Sequence, residues 1–438
     1  MTISKQKIGV FGLGITGNSI LKELQKSECK IICWDDSGDK QHECDTSLLV
    51  PLSSAKWSAL DVIYVSPGVP KSHEIFTLAM NDNILILSDV QLFLKNNSSS
   101  EIIAITGTNG KSTSTALIGH ILKEAGRDYH IGGNIGKPVL SLPGDAEGYV
   151  LELSSFQLDL LHNFEPDISV LLNITPDHIQ HHGSFKNYCA AKEKILKHDG
   201  IKIIGIDTAE SSKLYEKLKK AADKKNIAIS SKDVGADISC LEQKIEDKFF
   251  NCTSYNFPKI PNLQGLHNQE NIAAAFAVCR NLGVAAKEII KHLQTFQGLK
   301  HRMQFVGSVG KLRFYNDSKA TNTSAAYHSL SALKNIYWLA GGIFKEEGLE
   351  LIKNTLSNIK KAYLFGESKS VFAEYLKGKI EYVLCNTMEE AITAAKADAL
   401  LDHAADANIL LAPACASFDQ FKDFEERGDK FIELVKRA

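Results

Sequence analysis

The sequence predicts an α/β protein of three successive domains, and three observations predict it. Short apolar runs rich in Val, Ile and Leu, such as Ile8-Gly-Val-Phe11, Ile102-Ile-Ala-Ile105 and Asn408-Ile-Leu-Leu411, each end in glycine, proline or a polar turn, as buried strands of parallel sheets do. Helix-period segments alternate with them. The 438 residues exceed what one ordinary core encloses, so the chain must divide.

Composition narrows the function classes. A formal net charge of −2 leaves no electrostatic footprint for nucleic acid or an acidic membrane. The nine cysteines include no C-x-x-C pair, and their scatter reads as reduced buried thiols, not a disulfide frame or a zinc site. Met1 to Lys7 is polar and leads into a strand, and no apolar stretch is long enough to span a bilayer, so the cytoplasm is the expected compartment.

Residues 1–96 read as a Rossmann-like domain. Gly12-Leu-Gly-Ile-Thr-Gly17 follows the first strand and matches the dinucleotide fingerprint, and a second strand, Ile31-Ile-Cys-Trp34, ends in Asp35 and Asp36 at the distance where an acid meets a ribose. The fingerprint places a diphosphate on a helix N-terminus without naming the nucleoside; taken alone it suggests NAD, and glycines needed only for tight packing remain an alternative. Asp61-Val-Ile-Tyr-Val65 runs into Ser66-Pro-Gly-Val-Pro70, a turn stiffened by proline at both ends and placed to touch ligand. Lys95-Asn-Asn-Ser-Ser-Ser100 is the linker that closes this domain.

Residues 97–299 open on a strand, the loop Thr106-Gly-Thr-Asn-Gly-Lys-Ser-Thr113 and a helix with Leu117, Ile118, Ile121 and Leu122 on its apolar side. This is a P-loop-type phosphate cradle, with Ile105 where the usual pattern has its first glycine. Backbone N–H groups from Gly107 to Gly110 and the helix N-terminus would surround the anion, Lys111 would meet the terminal phosphates, and Ser112 or Thr113 would meet Mg²⁺. Glu152 sits inside an apolar strand, where a carboxylate is costly unless paired or metal-bound; beside a nucleotide loop, metal is the favoured reading. The turn Gly132-Gly-Asn-Ile-Gly136 offers Asn134 as an amide contact. Asn173-Ile-Thr-Pro-Asp-His178 caps another strand; His181 and His182 are expected to be solvated, since no cysteine or carboxylate completes a zinc set with them. Lys192, in a helix beginning at Ala190, is by default a surface lysine.

Residues 300–438 repeat the strand-and-loop design. His301-Arg302 precedes a strand ending in Asn316-Asp-Ser-Lys-Ala-Thr-Asn322, and the last strand enters Ala412-Pro-Ala-Cys-Ala-Ser417. An acid, a lysine and two hydroxyls at a strand's end suggest a site, and the segment reads as another Rossmann-like sheet with its loops gathered at one edge.

With these motifs assembled, the chain resembles the Mur ligase family over its whole length. The phosphate loop and His267-Asn-Gln-Glu-Asn271 mark any such ligase, folylpolyglutamate synthases included. Asn-Asp-Ser-Lys-Ala-Thr-Asn322 with Ser417-Phe-Asp-Gln-Phe421 points to the members that add D-glutamate. The resemblance implies a cytoplasmic, monomeric, ATP-dependent amide ligase that phosphorylates the carboxylate of UDP-N-acetylmuramoyl-L-alanine and lets the amine of D-glutamate displace the phosphate, with no nucleic acid or membrane partner. The first domain would hold the UDP-sugar through Gly14, Ile15, Thr16, Gly17, Asp35 or Asp36, Ser66, Pro67, Gly68 and Asn134. ATP would meet Gly107, Thr108, Asn109, Gly110, Lys111, Ser112, Thr113, Asn268, Asn271, Arg302 and Asp317, with the last domain closing over it. One Mg²⁺ would lie on Ser112 or Thr113 with Glu152, and a second on His178 and a carbamate formed on Lys192. Lys319, Thr321, Lys345, Ser417 and Phe424 would receive D-glutamate. Two departures stand out: Gln180 replaces a common aspartate, and Gly341-Gly-Ile-Phe-Lys345 lacks the acid often found before the lysine. A dehydrogenase explains Gly12 to Gly17 but leaves Lys111, Glu152 and the last domain idle.

Overall fold

The apolar runs assemble into three sheets in a computed structural model that describes residues 6–42, 44–219, 225–263, 265–344, 348–402 and 406–437. Lys345 lies outside the described residues, so its expected role is not addressed by the structure. By contacts the chain forms two units, residues 1–258 with 266–294, and residues 259–265 with 295–438.

The first unit carries two sheets. One is all parallel, in the spatial order Lys30–Trp34, Lys7–Phe11, Val62–Val65, Leu85–Leu87. Ile8, Val10, Ile20 and Leu21 pack one face, and Phe11, Trp57, Ile63 and Ile75 the other, which is why these strands read as unbroken apolar runs. The linker is shorter than the sequence suggests. Helix Asp89–Asn96 continues through Lys95, because Leu92 and Phe93 are buried and hold its last turn in place.

The other sheet of this unit has nine strands. Glu101–Thr106 lies third from one edge, between Gly148–Glu152 and Ile168–Leu171, and parallel pairing extends to Tyr129–Gly133 on one side and to Ile201–Gly205, Asn226–Ser230 and Ile238–Leu241 on the other. Lys244–Asp247 and Thr253–Asn256 add an antiparallel edge. Helix Lys111–Glu124 buries Leu117, Ile118, Ile121 and Leu122 as its periodicity requires, and packs on helix Leu266–Asn281, whose residues 272–279 are almost wholly enclosed. Small alanines there permit close helix approach.

The second unit holds a six-stranded sheet in the order Gln304–Val309, Leu312–Asn316, Ala407–Leu411, Ile336–Gly341, Ile359–Phe365, Glu381–Leu384. Only the first pair is antiparallel. In such sheets ligands meet the loops at the carboxyl ends of the strands. All nine cysteines are free thiols, and no described helix is long and apolar enough to cross a membrane.

Candidate active site

The phosphate loop is shaped from several directions. Gly110 caps helix Lys111–Glu124 with φ +83°, a left-handed conformation that disfavours other residues, and an added Cβ there would overlap Asn271 Oδ1. No side chain caps this helix and its first turn carries no acid, so its N–H groups and dipole remain available to an anion. Lys111 Nζ donates to the carbonyls of Gly107 and Thr108 at 2.9 Å each. Ser112 is buried and Thr113 half-buried at the same turn.

The segment that follows strand Ile168–Leu171 buttresses the loop. Asn173 Oδ1 accepts from Asn109 N at 2.9 Å, while its Nδ2 donates to Asn109 O at 3.3 Å and to Glu270 Oε2 at 2.7 Å. Thr108 Oγ1 donates to the Thr175 carbonyl and accepts from Thr175 N. Asn271 is fully enclosed; its Oδ1 accepts from Ser114 Oγ at 3.0 Å and its Nδ2 donates to Asn268 Oδ1 at 2.9 Å. The expected nucleotide asparagines therefore brace the loop from behind.

Glu152 lies on the neighbouring strand, 1 % exposed. One carboxylate oxygen accepts from Asn134 Nδ2 at 2.9 Å, and the other has no hydrogen-bond partner among the described residues. A buried carboxylate oxygen left so is costly, and a magnesium ion beside a phosphate loop would satisfy it. No three His, Cys, Asp or Glu side chains converge as a ligand set among the described residues, so such an ion would complete its shell with hydroxyl, water and nucleotide oxygens.

Lys192 overturns the surface expectation. Helix Phe185–Glu193 starts earlier than the sequence suggests and turns this residue inward, 1 % exposed, with Nζ donating to Gly107 O at 2.7 Å and Thr106 Oγ1 at 3.2 Å. The Tyr188 ring lies beneath it at 5.0 Å. Burial, and then Lys111 nearby, hold its pKa well below the ordinary lysine value, against the pull of Asp177 and Glu152. His178 is exposed, in the left-handed region at φ +51°, with its ring 4.9 Å from that of Phe156. The expectation that His181 and His182 are solvated fails for His182. Both sit on the short helix Ile179–His182 against Phe156, and buried His182 pairs with Ser155 Oγ at 3.0 Å. Desolvation lowers the pKa of each.

A cavity of about 620 Å³ in the same unit gathers the candidates for a nucleotide-sugar: Gly14, Ile15, Thr16, Asp35, Asp36, Ser66, Pro67, Gly68 and Asn134 line it. Gly17 lies behind the wall, where a Cβ would overlap the Gly12 carbonyl oxygen, so close packing explains this glycine without excluding a ligand. Asp35 and Asp36 part company. Buried Asp35 is engaged by the backbone N–H groups of Leu13 at 2.6 Å and Ser37 at 2.8 Å, whereas exposed Asp36 pairs with His73 at 2.8 Å. Sequence reasoning missed His73. Its Nδ1 accepts from Ile75 N, which leaves the proton on Nε2, facing Asp36.

In the second unit, Asp317, Lys319, Thr321, Ser417 and Phe424 collect around the ends of strands Leu312–Asn316 and Ala407–Leu411. Asp317 accepts from Met303 N and Ser329 Oγ, and burial pushes its carboxyl up to about 6. Arg302 is exposed between His301 and Met303, both at positive φ. Lys319 Nζ lies 5.1 Å from the centre of the Phe424 ring. Arg427, also missed, is fully buried. Its guanidinium donates to Ser318 Oγ and O at 3.0 and 2.8 Å and to Cys415 O at 3.1 Å, joining two of the loops that carry these residues. A run such as Glu-Glu-Arg-Gly on a terminal helix carries no signal for that role.

Residues 105–279 match the family model described as Mur ligase middle domain, and residues 301–415 the one described as Mur ligase, glutamate ligase domain. The chain is 48 % identical to UDP-N-acetylmuramoylalanine--D-glutamate ligase of Rickettsia bellii, over 99 % of this chain and 98 % of the relative. It is 41 % identical to the protein of that name from Caulobacter vibrioides, over 98 % and 95 %. Among solved structures, UDP-N-acetylmuramate-alanine ligase MurC of Thermotoga maritima shares the fold with a TM-score of 0.60 at 19 % identity, covering 99 % of each chain. A UDP-N-acetylmuramoyl-L-alanyl-D-glutamate--2,6-diaminopimelate ligase does so with 0.59 at 17 %, covering 86 % of this chain and 93 % of the other.

Proposed function

The chain belongs to the Mur ligase family, and from that premise we propose how its residues divide the work. It is an ATP-dependent ligase of peptidoglycan precursor synthesis that joins D-glutamate to UDP-N-acetylmuramoyl-L-alanine through an acyl phosphate. A carboxylate is a poor electrophile. Transfer of the γ-phosphoryl group to one of its oxygens, with ADP leaving, supplies a leaving group; the amine of D-glutamate then forms the amide bond and releases phosphate. What remains for the protein is charge neutralisation and alignment.

The observation that carries this reading is the position of Asn134, which lines the 620 Å³ cavity and hydrogen-bonds Glu152. A nucleotide-sugar in that cavity, with its diphosphate over Gly14 to Thr16, would have the metal carboxylate at its border. Lys111 and the N–H groups of residues 107–113 would hold the transferring phosphoryl group, and Ser112 or Thr113 with Glu152 would hold one Mg²⁺. Magnesium, when bound, withdraws charge from phosphate oxygens. The lowered pKa of Lys192 favours the neutral amine, which can add to CO₂ and lose a proton to give a carbamate; that anion with His178 would hold a second ion. Asn268, Asn271, Arg302 and Asp317 are assigned to ATP, and Lys319, Thr321, Ser417 and Phe424 to D-glutamate. We read residues 1–96, 97–299 and 300–438 as the UDP-sugar, ATP and amino-acid domains of a cytoplasmic monomer.

Phosphate release measured with ATP, Mg²⁺, UDP-N-acetylmuramoyl-L-alanine and D-glutamate tests the whole. Release is expected only with all four present. Equal turnover with L-alanine, L-lysine or diaminopimelate in place of D-glutamate would contradict the amino-acid assignment while leaving the ligase class standing.

A further inference from the structure

The second turn of helix Leu266–Asn281 presents two consecutive side chains to the phosphate loop. Asn271 reaches Ser114 and underlies Gly110. Glu270 reaches the opposite end, through Asn173, to Asn109. We propose that Glu270 is a positioning residue for ATP, holding Asn173 in the one amide orientation that fastens the tip of the phosphate loop.

The argument is one of donors and acceptors. Asn173 meets both backbone groups of Asn109, its oxygen facing N–H and its nitrogen facing C=O. Reversed, the same amide would set oxygen against the Asn109 carbonyl and the Glu270 carboxyl, and NH₂ against an N–H. Glu270 Oε2, accepting from Asn173 Nδ2 at 2.7 Å, therefore raises the cost of the reversed amide. Both side chains are buried, 6 % and 8 % exposed, so water does not substitute for the bond. Gly205 makes the room, since a Cβ there would come to 2.5 Å from Glu270 Oε1. Glutamine keeps a carbonyl oxygen where Glu270 Oε2 accepts from Asn173, so a neutral side chain of the same shape should serve.

The inference rests on the reading of this loop as the ATP site. Initial rates with the full chain give KM for ATP, for the UDP-nucleotide and for D-glutamate in the parent protein and in Glu270→Ala, Glu270→Met and Glu270→Gln. Ala and Met should raise KM for ATP about tenfold, the worth of one well-made hydrogen bond, and leave the other two constants within about twofold; Gln should return KM for ATP to within about threefold of the parent. An unchanged KM for ATP in a folded variant, or an equal rise in all three constants, overturns the proposal. Glu270→Met keeps the volume and serves where Glu270→Ala does not fold. A parent protein without ATP-dependent phosphate release would instead overturn the ligase reading, and titration with a fluorescent ATP analogue would still distinguish parent from variants.

Discussion

The chain builds the strand, glycine loop and helix device twice in one unit, and the two copies differ in what surrounds the same backbone. At Gly12 to Gly17 the loop presents exposed Ile15, and its Leu13 N–H is held by the carboxylate of Asp35. At Gly107 to Gly110 the loop has Lys111 above it, buried Lys192 beneath it, and the side chains of Asn173 and Asn271 behind it. A phosphate that only anchors a ligand needs a helix N-terminus and close approach. One that is transferred also needs cations and fixed geometry, because charge moves during the reaction. On the proposed reading the backbone supplies binding in both copies, and the side chains decide which of them does chemistry.

Three substitutions and one pH experiment sharpen that difference. Lys111→Ala should lower kcat by about 10²–10³-fold, the scale for losing one preorganised charge-stabilising group, with the affinity for the UDP-nucleotide unchanged by equilibrium titration. Lys192→Ala should lower kcat by about 10²-fold, with partial recovery in formate or acetate as a carboxylate takes the place of the proposed carbamate; a fully active variant would remove the proposed second-metal role. Gly17→Ala forces the first helix away from Gly12, a kind of overpacking that costs about 1–3 kcal/mol. It should raise KM for the UDP-nucleotide about tenfold and leave KM for ATP within about twofold, the reverse of the Glu270→Ala pattern. The smallest effect concerns stability. The folded pKa of Glu270, about 8, lies above its ordinary 4.5, so the unfolded chain releases this proton first; the stability it confers is full below about 4.5 and lost as pH rises towards about 8. Glu270→Gln lacks this dependence, so its Tm relative to the parent should be higher at pH 8 than at pH 5.

Local spacing made much of this legible. Both glycine loops, the buried Glu152 and the apolar face of helix Lys111–Glu124 follow from residues within a few positions of one another. What escaped depends on distant packing. Lys192 looks like a surface lysine until helix Phe185–Glu193 turns it under Gly107, 85 positions earlier. The partners of Glu270 and Arg427 lie 97 and 109 positions away, beyond any periodicity. His182 looked solvated because adjacent histidines near a turn carry no sign of the Phe156 ring that covers them. Asp35 and Asp36 were indistinguishable as neighbours; the fold separates them by giving one the Leu13 and Ser37 N–H groups and the other His73.

Oxygen tracing tests the central claim most directly. UDP-N-acetylmuramoyl-L-alanine carrying ¹⁸O in its alanyl carboxylate is turned over with ATP, Mg²⁺ and D-glutamate, and the released phosphate is analysed by mass spectrometry. Transfer of the γ-phosphoryl group to that carboxylate predicts one ¹⁸O in each phosphate formed. Unlabelled phosphate accompanying full amide formation would contradict it.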